Sequence, residues 1–255
     1  MSELVSICVP AWNYYGHGPR LIREMFESFK IQTNKKFEVI ISDESKDESI
    51  KDICNEYKSI FDIKHMFFER DPSLSYAHNY INAEKHASGT IIKPLFQADF
   101  FISENVIDTV IKTHERNKIC WAAYRYDHCQ LDGSSPFNDR IPSYNPNVVL
   151  GVNTIGAPSA CSFSSEIKEE MDTNLRMMLD CDHYFRIYNS YGPPIIVSDE
   201  CYIRNRISDL EAKNERATLD NVPFDINYIV KKYNFKQNGY VDLNQSPFAG
   251  HIQFW

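Results

Sequence analysis

Short β-branched apolar runs alternate with helically spaced apolar residues from Val5 to Tyr126, and few architectures accept that order. Val5-Ser6-Ile7-Cys8-Val9 is apolar and ended by Pro10, as expected of a buried parallel strand. Leu21, Ile22, Met25, Phe26 and Phe29 then follow at helical spacing. Phe37-Glu38-Val39-Ile40-Ile41 gives a second strand, and Ile50, Ile53, Cys54, Tyr57 and Ile60 a second helix with Asp47 as its N-cap. The alternation continues with a strand at His65 to Phe68, a helix from Tyr76 to Ala87 closed by Gly89, and a strand from Thr90 to Phe96. A helix from Glu104 to Arg116 and a strand from Ile119 to Tyr126 complete it. This order predicts an α/β fold with a mostly parallel sheet flanked by helices.

Beyond Tyr126 the pattern changes. Asp127 to Asn153 is rich in Pro, Asn, Ser and Asp without a period, which predicts long loops near a binding face. A helix is expected from Met177 to Tyr191, stopped by Gly192-Pro193-Pro194. Short strands are expected at Ile195 to Val197 and Cys201 to Ile203, and a partly helical tail around Phe224 to Tyr233. The expected division is a domain over 1–207, in two halves at 1–125 and 126–207, followed by a helical extension over 208–255.

Composition narrows the function. The net charge of -8 argues against nucleic acid as a partner, since backbone phosphates require clustered Lys and Arg. No apolar run approaches the ~20 residues that span a bilayer, and the N-terminus lacks signal-peptide character, so a cytoplasmic setting is expected. Seven single cysteines without a CxxC pair read as core fillers rather than zinc ligands or disulfides. The apolar segment Phe248 to Trp255 is suited to packing on the domain or on a neighbour, and the oligomeric state is left open.

In an open parallel sheet, ligands bind beyond the carboxyl ends of the strands. The first strand ends in Pro10-Ala11-Trp12-Asn13, which is neither GxGxxG nor a P-loop. The second ends in Ser42-Asp43-Glu44-Ser45, where a carboxylate suits a nucleobase N–H or ribose hydroxyl, with helix capping as the competing role. The fourth leads into Phe96-Gln97-Ala98-Asp99-Phe100, whose single Asp needs a partner: a divalent cation, a cap or an ion pair.

Together these segments resemble family 2 glycosyltransferases of the GT-A fold, a Rossmann-like α/β architecture. Val5 to Asn13 and Phe37 to Ser49 are similar to the family's V-S-I-I-x-P-x-Y-N and V-I-V-V-D-D-G-S strands. Ser75-Tyr76-Ala77-His78-Asn79 resembles its helix motif ending in Arg-Asn, and Gly89 to Asp99 its strand leading into D-x-D. Asn153 to Ser159 is similar to its acceptor-side loop, and Leu179 to Arg186 to its E-D-x-D-x-x-x-R helix. Cys201 to Arg206 resembles a later Y-x-R-x-H segment.

The resemblance implies an inverting transfer from a nucleotide-diphosphate sugar to a glycan or lipid-linked acceptor hydroxyl, a setting in polysaccharide assembly and peripheral membrane contact. It implies donor contacts from Pro10, Ala11, Trp12, Asn13, Asp43, Ser75, Asn79, Lys93, Gln97, Ala98, Arg204 and Arg206. Asp99 would hold Mn2+ or Mg2+, and the Asp six residues before Arg186 selects Asp180 as base, with Asp182 in reserve. At helical spacing the two lie ~200° apart, so the one turned from the cleft is expected to be a solvated charge. Trp12, Tyr14 and Tyr15 are expected to stack on rings of the ligands, and Trp121 to sit in the core.

The chain departs from the family pattern at three places. Gln97 replaces the first Asp of D-x-D, Ser42 the first Asp of D-D-G-S, and Arg206 a frequent His. A one-residue shift would put Ala98 at the metal-ligand position. Two rivals stand beside transfer: a nucleotidyltransferase, which would release pyrophosphate, and a degenerate binding protein, which would bind donor without turnover. The nucleotidyltransferase lacks support because Pro10 to Gly16 offers no basic, Gly-rich loop.

Overall fold

Alternation of side chains between two buried faces in the first strands sets the layers of the molecule. The computed structural model describes residues 3–69, 75–116, 119–207, 221–235 and 246–247. In β1 (Val5–Ala11) and β2 (Phe37–Asp43), Val5, Ile7, Val9, Phe37, Val39 and Ile41 join one apolar cluster, whereas Cys8 and Ile40 join another on the opposite face. The first cluster is covered by α1 (Gly18–Lys30) and α2 (Ser49–Tyr57), together with α4 (Val106–Glu115). The second lies under α3 (Ala77–Lys85), α5 (Leu179–Tyr191) and α6 (Val222–Tyr233).

The remaining strands are β3 (Ile63–Phe67), β4 (Ile91–Pro94), β5 (Phe100–Phe101), β6 (Trp121–Tyr124), β7 (Tyr126–Gln130), β8 (Phe137–Arg140), β9 (Cys161–Ser164), β10 (Ile195–Val197) and β11 (Ile203–Ile207). The main sheet has the order β10-β6-β9-β4-β1-β2-β3, parallel except for β9, which runs antiparallel to both β4 and β6. This is the mostly parallel α/β sheet expected. A smaller sheet, β5-β11-β7-β8, packs beside it.

Some boundaries differ from the expectations. The single strand anticipated over Ile119 to Tyr126 is two strands in different sheets. The Arg125 amide donates to Val197 O (2.8 Å) and its carbonyl accepts from Tyr202 (2.9 Å), so the chain crosses between sheets there. The aperiodic 127–153 segment contains β8 and a short 3-10 turn at Pro146–Leu150. The N-cap of α2 is Glu48 rather than Asp47, whose Oδ1 accepts the Ser49 N–H at 3.0 Å from one residue earlier. Six of the cysteines are buried and Cys201 is half-buried, all of them unbridged. The helix of the expected extension shares the main core through Val222, Ile226 and Ile229, while residues 208–220 and Phe248 to Trp255 lie outside the described residues. Among the described residues no helix is long and apolar enough to cross a membrane.

Candidate active site

Three parallel strands, β1, β2 and β4, deliver their carboxyl ends to one edge, and local hydrogen bonds fix that edge. Gln97 clamps the residue after β1 from both sides: its Nε2 donates to Trp12 O (2.7 Å) and its Oε1 accepts the Trp12 N–H (2.8 Å). Asn79 Nδ2 donates to Ala11 O at 3.2 Å. Asn13 closes the turn into α1, its Nδ2 donating to Asp47 Oδ2 (3.0 Å) and its Oδ1 accepting from the Gly16 amide. Gly18 is required here, because a Cβ would lie 2.4 Å from Trp12 O and 2.7 Å from Asn13 O. Tyr14 and Tyr15 occupy the left-handed region (φ 51° and 55°) and meet the Trp12 ring edge-on at 5.2 and 5.1 Å.

Asp43, at the end of β2, is fully buried. Its Oδ2 faces His65 Nε2 at 3.0 Å and its Oδ1 accepts the Ser45 N–H at 2.9 Å. The same edge contains buried Ser45 Oγ, Ser75 Oγ and Asn79 Oδ1, none of which has a hydrogen-bond partner among the described residues. Buried polar atoms left unsatisfied in this way mark a place that a ligand completes.

A second cluster forms around the head of α5. Asp180 is half-buried, with Oδ2 accepting from Asn153 Nδ2 and Oδ1 from the Cys181 N–H, both at 2.8 Å. Burial raises its pKa to about 6 against the opposing effect of these donors. Asn153 Oδ1 also accepts the Ile155 and Gly156 amides (3.0 Å each), so it organises the loop that faces the carboxylate. Tyr184 OH donates to Gly156 O at 3.1 Å. The loop continues into Ser159, whose Oγ accepts the Phe96 N–H at 2.9 Å and which also hydrogen-bonds Asp99. Residues 153–159 therefore tie the head of α5 to the turn after β4.

Several candidates have different surroundings from those expected. Asp182 is not a solvated charge: it is fully buried between Arg186 Nε (2.8 Å), Lys232 Nζ (2.9 Å) and Tyr233 OH (2.6 Å), which bind α6 to α5. Lys93 is buried within the core rather than presented at the donor edge, donating to Pro94 O (3.1 Å) and to Ser159 O. Burial lowers its pKa to about 7. Arg204 grips Asp127 with two bonds, at 2.8 and 2.6 Å. Arg206, with its side chain only 3% exposed, donates to Ala98 O (2.8 Å) and pairs with Glu24. Trp121 is in the core, as expected, stacked between Phe163 and Tyr184.

The metal expected at Asp99 was tested against the residues around it. Burial raises the Asp99 pKa to about 6, and the carboxylate accepts from the Arg206 N–H (3.2 Å) and from the Ser159 side chain. Among the described residues no group of three His, Cys, Asp or Glu side chains is placed to hold a metal ion. A hard divalent cation takes six or more oxygen ligands, usually with more than one carboxylate or with waters. One carboxylate ringed by N–H and O–H donors does not fit it.

Residues not singled out from the sequence complete these clusters. His65, Asn153 and Ser159 touch the candidate residues, and Asp225 accepts the amides of Arg176 (3.0 Å), Met177 (2.6 Å) and Met178 (2.9 Å) just before α5. Only Asn153 carried a sequence signal, an Asn three residues ahead of Gly156 in a loop already set apart.

A sheet with its polar residues gathered at the carboxyl ends of β1, β2 and β4 belongs to the nucleotide-binding α/β class. The family model described as glycosyl transferase family 2 matches residues 6–167, so the chain belongs to that family of sugar-transferring enzymes. No curated protein sequence matches it. Among solved structures it is similar to S. aureus TarS 1-349 in complex with UDP, at 16% identity and a TM-score of 0.60, over 96% of this chain and 77% of that one. It is also similar to the mannosyltransferase PcManGT from Pyrobaculum calidifontis in complex with GDP-Man and Mn2+, at 14% identity and a TM-score of 0.64, over 98% and 69% of the two chains. These likenesses establish the GT-A fold.

Proposed function

We propose that this chain transfers a sugar from a nucleoside-diphosphate sugar to an acceptor hydroxyl with inversion, using Asp180 as general base. The observation that carries the reading is the setting of Asp180. It is a half-buried carboxylate at the head of a helix, poised near neutrality at about 6 and oriented by Asn153 from the facing loop. A base with its pKa near the working pH is both ionised and able to accept a proton. The acceptor hydroxyl loses its proton to Asp180 as its oxygen bonds to the anomeric carbon, and the nucleoside diphosphate departs from the opposite face.

The donor edge supports the other half of the reading. Trp12 and its neighbouring tyrosines offer aromatic surface for a base or sugar ring. Ser45, Ser75 and Asn79 offer polar atoms that lack partners among the described residues. The acceptor class we favour is a glycan or lipid-linked saccharide, in a cytoplasmic setting with peripheral contact to a membrane. The test is product identity on incubating the protein with sugar nucleotides and oligosaccharide acceptors. Release of nucleoside diphosphate with a product of inverted anomeric configuration supports the proposal. Pyrophosphate release, or donor binding without turnover across acceptors, sinks it.

A further inference from the structure

We infer that this chain uses no divalent ion at the Gln97-Ala98-Asp99 turn, and that the Arg206 guanidinium supplies the positive charge there. The inference rests on the proposed transfer from a nucleoside-diphosphate donor. Three oxygens that the turn could offer to a cation, one from each residue, already accept from a donor. Gln97 Oε1 accepts the Trp12 N–H at 2.8 Å. Ala98, with no side-chain ligand, gives its carbonyl to Arg206 Nη1 at 2.8 Å. Asp99 Oδ1 takes the Arg206 N–H at 3.2 Å, and the Ser159 side chain bonds to the same carboxylate.

Arg206 is fixed in this position. Its guanidinium carbon lies 4.2 Å from the centre of the Phe100 ring, its Nη2 pairs with Glu24, and its side chain is 3% exposed. A guanidinium stays ionised at every pH a folded protein meets, and it hydrogen-bonds phosphate oxygens directly. Beside an ion-binding turn it would repel a dication instead. Arg20 Nη1 also pairs with Glu24, at 2.9 Å, so a second guanidinium lies beside the first. Arg206 Nε is buried and has no hydrogen-bond partner among the described residues, so the guanidinium is not fully neutralised by its neighbours. A developing diphosphate thus meets a preorganised cation that costs no reorganisation when the bond breaks.

The test is titration of the full chain with UDP and with GDP, in EDTA and then in excess Mn2+ or Mg2+, followed by calorimetry. Binding of one nucleotide in EDTA with affinity unchanged by either metal is the expected result. Arg206→Gln is expected to weaken that binding roughly tenfold or more, and Arg206→Lys to restore part of it. If Arg206→Gln does not fold, the EDTA and metal titrations of the unaltered chain decide the matter by themselves. Binding seen only with metal overturns the inference and leaves the donor reading intact. Binding of no nucleotide under either condition overturns the donor reading, and this inference with it.

Discussion

Asp99 and Asp180 are both carboxylates whose pKa burial lifts to about 6, yet their surroundings give them different chemistry. Asp99 lies in a strut between sheets: the Arg206 amide and Ser159 converge on it, and the Arg206 side chain bonds the preceding carbonyl. Asp180 is half-buried, and among the described residues it accepts from Asn153 and the Cys181 amide. A raised pKa therefore does not by itself identify a base. What separates the two is exposure: Asp99 is buried, whereas Asp180 is half-buried, as the proposed role of base requires.

The sharpest way to break this contrast is Asp180→Asn. Loss of a general base is expected to lower the transfer rate by ~10²–10⁴-fold while donor affinity holds, measured by nucleoside-diphosphate release alongside calorimetry. Undiminished transfer would remove Asp180 from the chemistry. The pH dependence follows from the same group. In the unaltered protein the rate should climb as Asp180 ionises through about pH 6 and level off above it. Stability runs the other way. The folded-state pKa lies above the unfolded value, so this contribution is fully present below about pH 4 and is lost as the pH rises through about 6. Asp180→Asn should therefore melt roughly 2–4 °C higher than the unaltered chain at pH 8, the shift that about 1 kcal/mol gives at this size, with the gap closing in acid.

The neighbour two residues along predicts the opposite pair of effects. Asp182 holds Arg186, Lys232 and Tyr233, so Asp182→Ala strands buried partners and should cost about 3–5 kcal/mol of stability, read from denaturant unfolding. Near-normal stability with abolished transfer would reverse the roles given to the two aspartates. Next in size is Gly156→Ala. Gly156 has φ +113°, and an added Cβ would lie 2.6 Å from the Tyr126 ring, in the loop that Asn153 binds to Asp180. Strain of about 1–3 kcal/mol is expected, together with a lower rate.

The contrast also explains how far the sequence could be read. The sheet was legible because Val5 to Val9 and Phe37 to Ile41 carry their burial in local composition, and helices α1 to α4 carry theirs in spacing. Asp180 was legible through its distance from Arg186, and the position of Asp182 on the same helix could be placed but not its partners. Lys232 and Tyr233 are some fifty residues away, on a helix whose docking no local pattern encodes. The same limit hid the partners of Arg204 and Arg206, since Asp127 and Glu24 reach them only through tertiary packing. Ionisable side chains take their roles from partners, and partners brought together by a crossover leave no period in the chain.

The smallest expected effect probes the donor side of the comparison. Gln97 replaces a carboxylate of the family pattern with an amide, and the amide does what a carboxylate cannot: it donates to Trp12 O while accepting from Trp12 N–H. Gln97→Glu keeps the acceptor, loses the donor and sets an anion against the Trp12 carbonyl, whereas Gln97→Ala loses both bonds. Each bond lost is worth about 1 kcal/mol net, so Gln97→Ala should weaken nucleotide binding by roughly tenfold through a loosened Trp12 platform, with the pH profile set by Asp180 unmoved. A shift in that profile would mean the two clusters communicate through residues 153–159, and the separation drawn between Asp99 and Asp180 would have to be given up.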